Sequence, residues 1–283
     1  MTAIVVKELF IHPLKSGRSI SVPEVHLNRM GIVNDRRYML VDEDGHFLTQ
    51  RQQFKMALIN VFIGDLDANE ADIVKFSATG MDKLLVNRPI YNISSLCEVQ
   101  IWNDSCEAID CGDKASDWFT DFLKTPVRLV YMPDEFYRLV DPVFAKDRQT
   151  VNFADGFPLM MIGQGSLDEL NSKIPSKLEK LKINRFRPNL LIGGSEPYAE
   201  DTWSKVKISG KDKELEFEIV KPCSRCLIPG INPDSGQFEP EVLKVLASYR
   251  TKQGAIYFGQ NLLGPDNGTI KVGDRIEFCN INQ

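Results

Sequence analysis

The chain has 283 residues, of which 43% are hydrophobic and 26% are charged, and these proportions exclude a disordered protein. Its 34 Lys and Arg residues against 39 Asp and Glu residues give a formal net charge of −5, which argues against a general binder of nucleic acids or anionic membranes. A chain of this length predicts about two domains with sizeable cores.

The first half of the chain predicts short strands and one helix. Residues 36–51 predict a hairpin, because two apolar-rich runs flank Asp44 and Gly45, a dipeptide that supplies the positive φ of a tight turn. Residues 113–124 predict a helix with its aromatic residues on one face and Asp113 as its N-cap. Further strands are predicted at 3–11, 56–63, 73–78, 84–86 and 97–102.

The second half of the chain predicts further short strands, two helices and an irregular stretch at 133–157. A helix is predicted to begin at Ser166, and another covers 240–249, with Pro240 at a favoured first position. Strands are predicted at 127–132, 159–162, 189–192, 205–209, 215–220, 255–258, 269–272 and 275–279. Many short strands with three helices predict a mainly β protein with some α, built as one or two β-barrels.

Targeting and disulfide signals are weak throughout. Lys7 and Glu8 interrupt the first apolar run, which therefore does not resemble a signal peptide, and no run approaches the roughly 20 apolar residues of a membrane span. Six cysteines in a chain of this length do not make a disulfide scaffold. We therefore predict a cytoplasmic protein with free thiols, no membrane association and no nucleic-acid partner.

The motif Cys-Ser-Arg-Cys at residues 223–226 carries the clearest chemical signal. Its spacing suits half of a zinc site, a dithiol redox pair, or one thiolate metal ligand beside a spectator cysteine. No second cysteine pair completes a zinc site, and turn-forming residues follow where a thioredoxin-like pair needs a helix. A single thiolate facing a metal is favoured, with Arg225 placed to hold an anion, and two buried inert cysteines are the remaining interpretation.

Basic residues at the ends of predicted strands form a second signal. They are Lys15 with its neighbour Ser16, then Arg36, Arg187 and Arg225. Each alone is typical of a solvated surface residue. Together in space they would form a site for a phosphate or a polyanionic cofactor, because charge-assisted hydrogen bonds from several donors suit such groups. The periodicity of the sequence does not show whether these basic residues lie close together in the folded chain.

Seven short motifs, taken in order, resemble one family. They are HPLKS (12–16), NDRRY (34–38), FADGFP (153–158), FRPNL (186–190), KPCSRC (221–226), FGQNL (258–262) and GTIKVGD (268–274). The chain is similar to MOSC-domain proteins, in the branch with the bacterial YcbX-type proteins and the mitochondrial amidoxime-reducing component. The resemblance implies a MOSC N-terminal β-rich region at 1–124 and a MOSC β-barrel at 125–283, to which roughly the first 36 residues contribute.

The resemblance also implies a cofactor, molybdenum–molybdopterin, and its contacts. Cys226 takes the place of the family's molybdenum ligand, and Asp155 is the candidate proton relay. The implied cofactor contacts are Lys15, Ser16, Arg36, Gly156, Arg187, Ser224, Arg225 and Asn261. Gly156 stands where the mitochondrial members carry a hydroxyl side chain.

By resemblance, the expected activity is reduction of small N-hydroxylated substrates, namely hydroxylamines, amidoximes or N-hydroxylated bases. The sequence has neither a ferredoxin-type cysteine motif nor a dinucleotide fingerprint, so electrons are expected from a separate flavin reductase, ferredoxin or cytochrome-type protein. Two alternatives stay open: a sulfur carrier or transferase with a persulfide on Cys226 or Cys223, and a non-catalytic cofactor carrier. An association with pyridoxal phosphate binding comes with the wider family.

Overall fold

The computed structural model describes residues 3–64, 73–91, 93–145, 149–209 and 213–280. Over these residues we number the strands β1 to β21 in chain order: Val5–Ile11, Ile20–Val22, Glu24–Asn28, Gly31–Ile32, Tyr38–Val41, Asn60–Ile63, Ile73–Ser77, Leu84–Asn87, Leu96–Ile101, Asp104–Asp110, Arg128–Tyr131, Arg138–Leu139, Thr150–Val151, Leu159–Gly163, Leu190–Gly193, Trp203–Ser209, Glu214–Arg225, Thr251–Lys252, Ala255–Leu263, Gly268–Lys271 and Ile276–Asn280. The helices α1 to α3 are Asp113–Leu123, Gln164–Lys173 and Pro240–Arg250. Short 3-10 helices lie at Phe54–Leu58, Ile93–Ser95, Ile183–Phe186, Ala199–Thr202 and Ile228–Gly230. None of the helices in these ranges is long and apolar enough to cross a bilayer.

The largest sheet brings the two ends of the chain together. Its strand order is β2-β1-β15-β14-β19-β17-β16-β21, and β18 pairs with β19. The N–H of Val6 donates to the carbonyl of Asp274 at 2.9 Å, and the N–H of Gly273 donates to the carbonyl of Val6 at 2.8 Å. These bonds join β1 to the chain just before β21, so the sheet closes into a barrel, which removes the exposed edges that an open sheet would have.

Alternating side chains of β17 fill this barrel, as the sequence pattern predicts. Leu215 and Phe217 point inward and are each 1% exposed, whereas Glu214 and Glu216 point outward. Glu216 pairs with Lys205 on the neighbouring strand β16 at 2.6 Å. Period-two alternation therefore separates an apolar interior from a charged outer face on the same strand.

A second group of strands, β5 to β11, lies within residues 38–131. One sheet has the order β5-β11-β10-β9, and another has the order β6-β7-β8. Helix α1 packs Phe119 and Leu123 into their shared core, with Trp118 against its edge. The predicted N-cap Asp113 is wrong: Gly112 takes that position with φ 89° and no side-chain cap, and Asp113 lies in the first helical turn.

Several predicted elements are present in the structure but differ from the prediction in length or type. The hairpin at 36–51 is confirmed in its turn, since Gly45 has φ 78°, but its return segment makes one antiparallel bridge rather than a strand. The predicted strand at 56–63 begins as a 3-10 helix, and the helix predicted from Ser166 begins two residues earlier. The strand predicted at 215–220 continues to Arg225. Strands β2, β3, β4, β10, β12, β13 and β18 were not predicted; all but β10 have two to five residues, which is too short for a distinct sequence pattern.

The barrel core supplies a direct test of this fold. Replacing Phe217 by Ala removes a fully buried ring, so we expect the free energy of unfolding to fall by about 3–5 kcal/mol. Phe62→Ala is the matched control, because that ring is 49% exposed on β6, and it should cost much less. Urea unfolding monitored by circular dichroism measures both. Equal losses would contradict the placement of Phe217 inside the barrel.

Candidate active site

A cavity of about 730 Å³ lies against strands that are neighbours in the large sheet. All ten residues predicted for the site line it: Lys15, Ser16, Arg36, Asp155, Gly156, Arg187, Ser224, Arg225, Cys226 and Asn261. They come from the loop after β1, the turn before β5, the loop before β14, the turn before β15, the end of β17 and from β19. Because β1, β15, β14, β19 and β17 follow one another in the sheet, segments distant in sequence meet here.

The two cysteines of the motif occupy different environments. Strand β17 continues past Pro222, which lacks an N–H to donate, and its pairing with β19 slips between Pro222 and Ser224. Cys226 is the first residue beyond the strand, and it is exposed at the cavity. Cys223 packs against an apolar cluster, and burial raises the pKa of its thiol. This difference agrees with one thiolate available to a metal and one spectator cysteine.

Among the predicted cations of the cavity, Lys15 is buried and the three arginines are half-buried. Lys15 is 5% exposed, and its Nζ donates to the carbonyl of Phe153 at 2.7 Å and to Asp155 Oδ1 at 2.5 Å. Arg187 donates to a backbone carbonyl of the loop after β1 at 2.5 Å. Burial lowers the pKa of Lys15 to about 8, and burial together with the charge of Arg36 lowers the pKa of Arg187 to about 9. Like charges crowded in this way favour an anion among them.

Backbone strain marks the same residues. Ser16, Arg36 and Arg187 have φ values of 65°, 47° and 56°, in the left-handed region that residues other than glycine rarely adopt. Trp102, which also lines the cavity, has φ 56°. Such conformations persist where the surrounding structure holds them, and they concentrate at functional sites.

Arg225 and Asn261 line the cavity but mainly tie its walls together. The guanidinium of Arg225 donates at 2.8 Å to the carbonyls of Phe258 and Phe186, which belong to two different segments. Asn261 donates to the carbonyl of Lys221 at 3.2 Å. The expectation that Arg225 is placed to hold an anion is therefore weakened, because its donors already have backbone acceptors.

Asp155 is an ionised group at the rim of the cavity. Its side chain is 57% exposed to solvent, and its carboxylate is paired with Lys15. Burial acts to raise its pKa, but Lys15, Arg51 and Arg36 outweigh that effect and hold the pKa well below its usual range. The carboxylate of Asp155 can accept a proton only transiently, whereas Lys15 keeps its proton near neutral pH.

Arg51 and Trp102 were not predicted for the site. Arg51 Nη1 lies 3.6 Å from Cys226 Sγ and 3.8 Å from Asp155 Oδ2, and its guanidinium stacks 4.5 Å from the centre of the Trp102 ring. Arg51 ends the predicted hairpin, and Trp102 lies in the turn between β9 and β10. Neither residue belongs to a sequence motif that indicates a chemical role. Only their contacts in the folded structure identify them as part of the site.

The cavity fits an anionic, metal-containing cofactor. Arg51 Nη2 and Arg187 Nη2 are buried donors with no hydrogen-bond partner within the described part of the chain. Buried donors without acceptors are costly, so an oxygen-rich ligand would satisfy them. The exposed thiol of Cys226, which lines the same cavity, is the soft ligand that a high-valent metal in a pterin dithiolene would accept.

The lowered pKa of Lys15 makes stability depend on pH in a defined direction. Between pH 8 and 10.5 the unfolded chain binds a proton that folded Lys15 has released, so this contribution to stability rises with pH. In the cofactor-free protein, Lys15→Met should therefore flatten the rise of unfolding free energy across that window. Urea unfolding at a series of pH values measures the slope.

Lys205→Met is the control for this experiment. The hydrogen bond that Lys205 donates to Glu216 raises the pKa of Lys205, so its contribution to stability falls only above the window. That variant should keep the wild-type slope between pH 8 and 10.5. A Lys15→Met protein with an unchanged slope would show that Lys15 is not buried as described.

Comparison with known proteins identifies the chain's family. Residues 3–126 match the MOSC N-terminal beta barrel domain, and residues 148–277 match the MOSC domain. Mitochondrial amidoxime reducing component 2 of Bos taurus is 32% identical over 96% of this chain and 82% of its own length, and component 1 of Danio rerio is 32% identical over 96% and 84%. Molybdenum cofactor sulfurase of Oryza sativa subsp. japonica is also 32% identical over 94% of this chain, but over 34% of its own length. The chain therefore belongs to the family of MOSC-domain proteins, with a MOSC N-terminal region, that includes the mitochondrial amidoxime-reducing components.

Proposed function

We propose that the protein is a molybdenum-cofactor-dependent oxidoreductase that reduces N-hydroxylated substrates such as hydroxylamines, amidoximes and N-hydroxylated bases. The observation that carries this proposal is the meeting of an exposed thiol, Cys226, with the buried Lys15 and the half-buried Arg36 and Arg187 in one cavity. Relatives aligned over more than four fifths of their length are named for amidoxime reduction, which is the reductive cleavage of an N–O bond.

The residues of the cavity divide the work of holding the cofactor. Arg36, Arg187 and Lys15 would present positive charge to its phosphate, and Cys226 would supply the sulfur ligand to the metal. Gly156 has open space where a Cβ would lie, so this position leaves room in the cavity rather than adding a side-chain contact. Ser224, Arg225 and Asn261 form the wall from β17 and β19.

The reaction converts R–NHOH, two electrons and two protons into R–NH2 and water. When bound, the cofactor supplies the two electrons that cleavage of the N–O bond requires. The chain must supply the protons, and the pair of Lys15 and Asp155 suits this task. Asp155 is more than half exposed and hydrogen-bonded to Lys15, so it connects solvent with a buried ammonium whose pKa is about 8.

A sulfur carrier or transferase is the second candidate. It would bear a persulfide on Cys226, which is exposed enough for attack by another thiol. The relative that favours it, the cofactor sulfurase, aligns over about a third of its length, whereas the amidoxime-reducing components align over more than four fifths. The reductase is therefore the stronger proposal. A cytoplasmic location and an association with pyridoxal phosphate stay predictions from the sequence.

The contrast between the two cysteines tests the function. Protein made in cells that synthesise molybdopterin should carry close to one molybdenum per chain and reduce a benzamidoxime substrate. Cys226→Ala removes a direct ligand and should lower kcat by more than about 100-fold, because even the loss of groups that only support a ligand costs about 10- to 100-fold. Cys223→Ala removes a thiol packed in the apolar cluster and should lower kcat far less. Metal analysis and turnover with an artificial donor measure both.

Two results of that experiment would contradict the proposal. Equal losses in the two variants would indicate a dithiol or persulfide mechanism. Turnover by protein free of molybdenum would remove the cofactor from the chemistry altogether.

The electron source is a separate prediction. Because the sequence has no iron–sulfur motif and no dinucleotide fingerprint, the purified protein should not oxidise NADPH with a hydroxylamine substrate. A reduced viologen should drive turnover, and so should an added flavin reductase or a reduced ferredoxin or cytochrome. Absorbance of NADPH at 340 nm, with and without the added donor, measures the difference. Direct NADPH oxidation by this chain alone would overturn the need for a partner protein.

A further inference from the structure

Arg51 is the cationic group that the structure places against the sulfur of Cys226. Its Nη1 lies 3.6 Å from Cys226 Sγ, within hydrogen-bonding distance for a sulfur acceptor. The same nitrogen lies 3.8 Å from Asp155 Oδ2. One guanidinium therefore bridges the candidate metal ligand and the candidate proton relay.

The guanidinium is fixed before any ligand arrives. It lies 4.5 Å from the centre of the Trp102 ring and 5.8 Å from the centre of the Phe47 ring. The centres of these two rings are 5.1 Å apart. The Arg51 side chain is 18% exposed, and its Nη2 is buried. Aromatic stacking of this kind limits the rotamers of a long side chain, so the N–H groups keep their direction.

The segments that hold Arg51 come from the first part of the chain. Phe47 and Arg51 follow the tight turn after β5, and Trp102 lies in the turn between β9 and β10. Cys226 is the first residue after β17, a strand of the large sheet. The thiol side chain therefore meets two parts of the molecule: the end of β17, which carries Cys226, and the loop and turn that carry Arg51, Phe47 and Trp102.

We propose that Arg51 is a positioning residue that holds the Cys226 sulfur and withdraws charge from it, so that the reduced state of a metal bound to that sulfur is stabilised. The metal-related part of this inference rests on the proposed function. Hydrogen bonds and positive charge at a ligating sulfur favour the more electron-rich state of a metal centre and raise its reduction potential. Trp102 and Phe47 keep the guanidinium in place for that purpose.

The first arm of the test uses the full-length protein without cofactor. Cys226 is alkylated with anionic iodoacetate and with neutral iodoacetamide, and peptide mass spectrometry assigns the modified residue. The ratio of the two rates removes the intrinsic reactivity of the thiol and reports the local positive charge. Arg51→Gln should lower this ratio by about three-fold, as expected for the loss of one partly exposed charge. Arg51→Lys, which keeps the charge, should restore part of it.

Arg29→Gln is the matched control. Arg29 also stacks on an aromatic ring, 5.3 Å from the centre of Tyr137, but it does not line the cavity. This variant should keep the wild-type ratio. An Arg51→Gln protein with an unchanged ratio would overturn the contact between Arg51 and Cys226.

The second arm uses the molybdenum-loaded protein. Arg51→Gln should shift the midpoint potential of the metal downward, as measured by redox titration with paramagnetic resonance, and the Arg29→Gln protein should not shift. An unchanged potential at full molybdenum occupancy would overturn the charge-withdrawing role even where the alkylation ratio falls. Wild-type protein that takes up no molybdenum would refute the proposed function instead, and the alkylation ratio would still decide whether Arg51 holds Cys226.

Discussion

The cavity depends on buried and half-buried cations that donate hydrogen bonds to backbone carbonyl oxygens. Lys15 donates to the carbonyl of Phe153, and Arg187 donates to that of Gly17. Arg225 makes the same kind of bond to two further segments. Each bond joins stretches that are distant in sequence, so the charged side chains act as cross-links between the loops that surround the cavity. Charge-assisted hydrogen bonds are stronger than neutral ones, which suits them to this role.

Carbonyl partners satisfy the donors without cancelling the charge. Asp35 offsets Arg36, and Asp155 offsets Lys15, but Arg51 and Arg187 each keep a buried donor without a partner in the described ranges. The remaining positive potential has visible consequences nearby. Buried His12 stays neutral, because burial and the charges of Arg36 and Arg187 lower its pKa well below the usual value. A cavity prepared in this way favours an anion, and binding one relieves the mutual repulsion of the cations.

The strands β5 to β11 take part in the site as well as in their own core. They pack around Phe119 and Phe76 in one apolar cluster, and their turns carry Arg51 and Trp102 to the cavity wall. The large sheet supplies Cys226, the residue directly after its strand β17. The working surface is therefore shared, and the N-terminal strands contribute chemistry to it through the guanidinium beside the thiol.

Local pattern in the sequence determined the class of the protein and many of its parts. Alternation along 215–220 placed Phe217 inside and Glu216 outside, and the spacing of apolar residues located α1, since both periods follow from the geometry of a single element. The order of short motifs named the candidate site. Convergence was decided by tertiary structure alone, because the pairing of β1 with β15 brings residues 15 and 187 together across the chain. Tertiary structure also decided that Arg225 ties walls together and that Arg51 faces the thiol, since a guanidinium's role depends on the acceptors around it, and those acceptors come from distant segments.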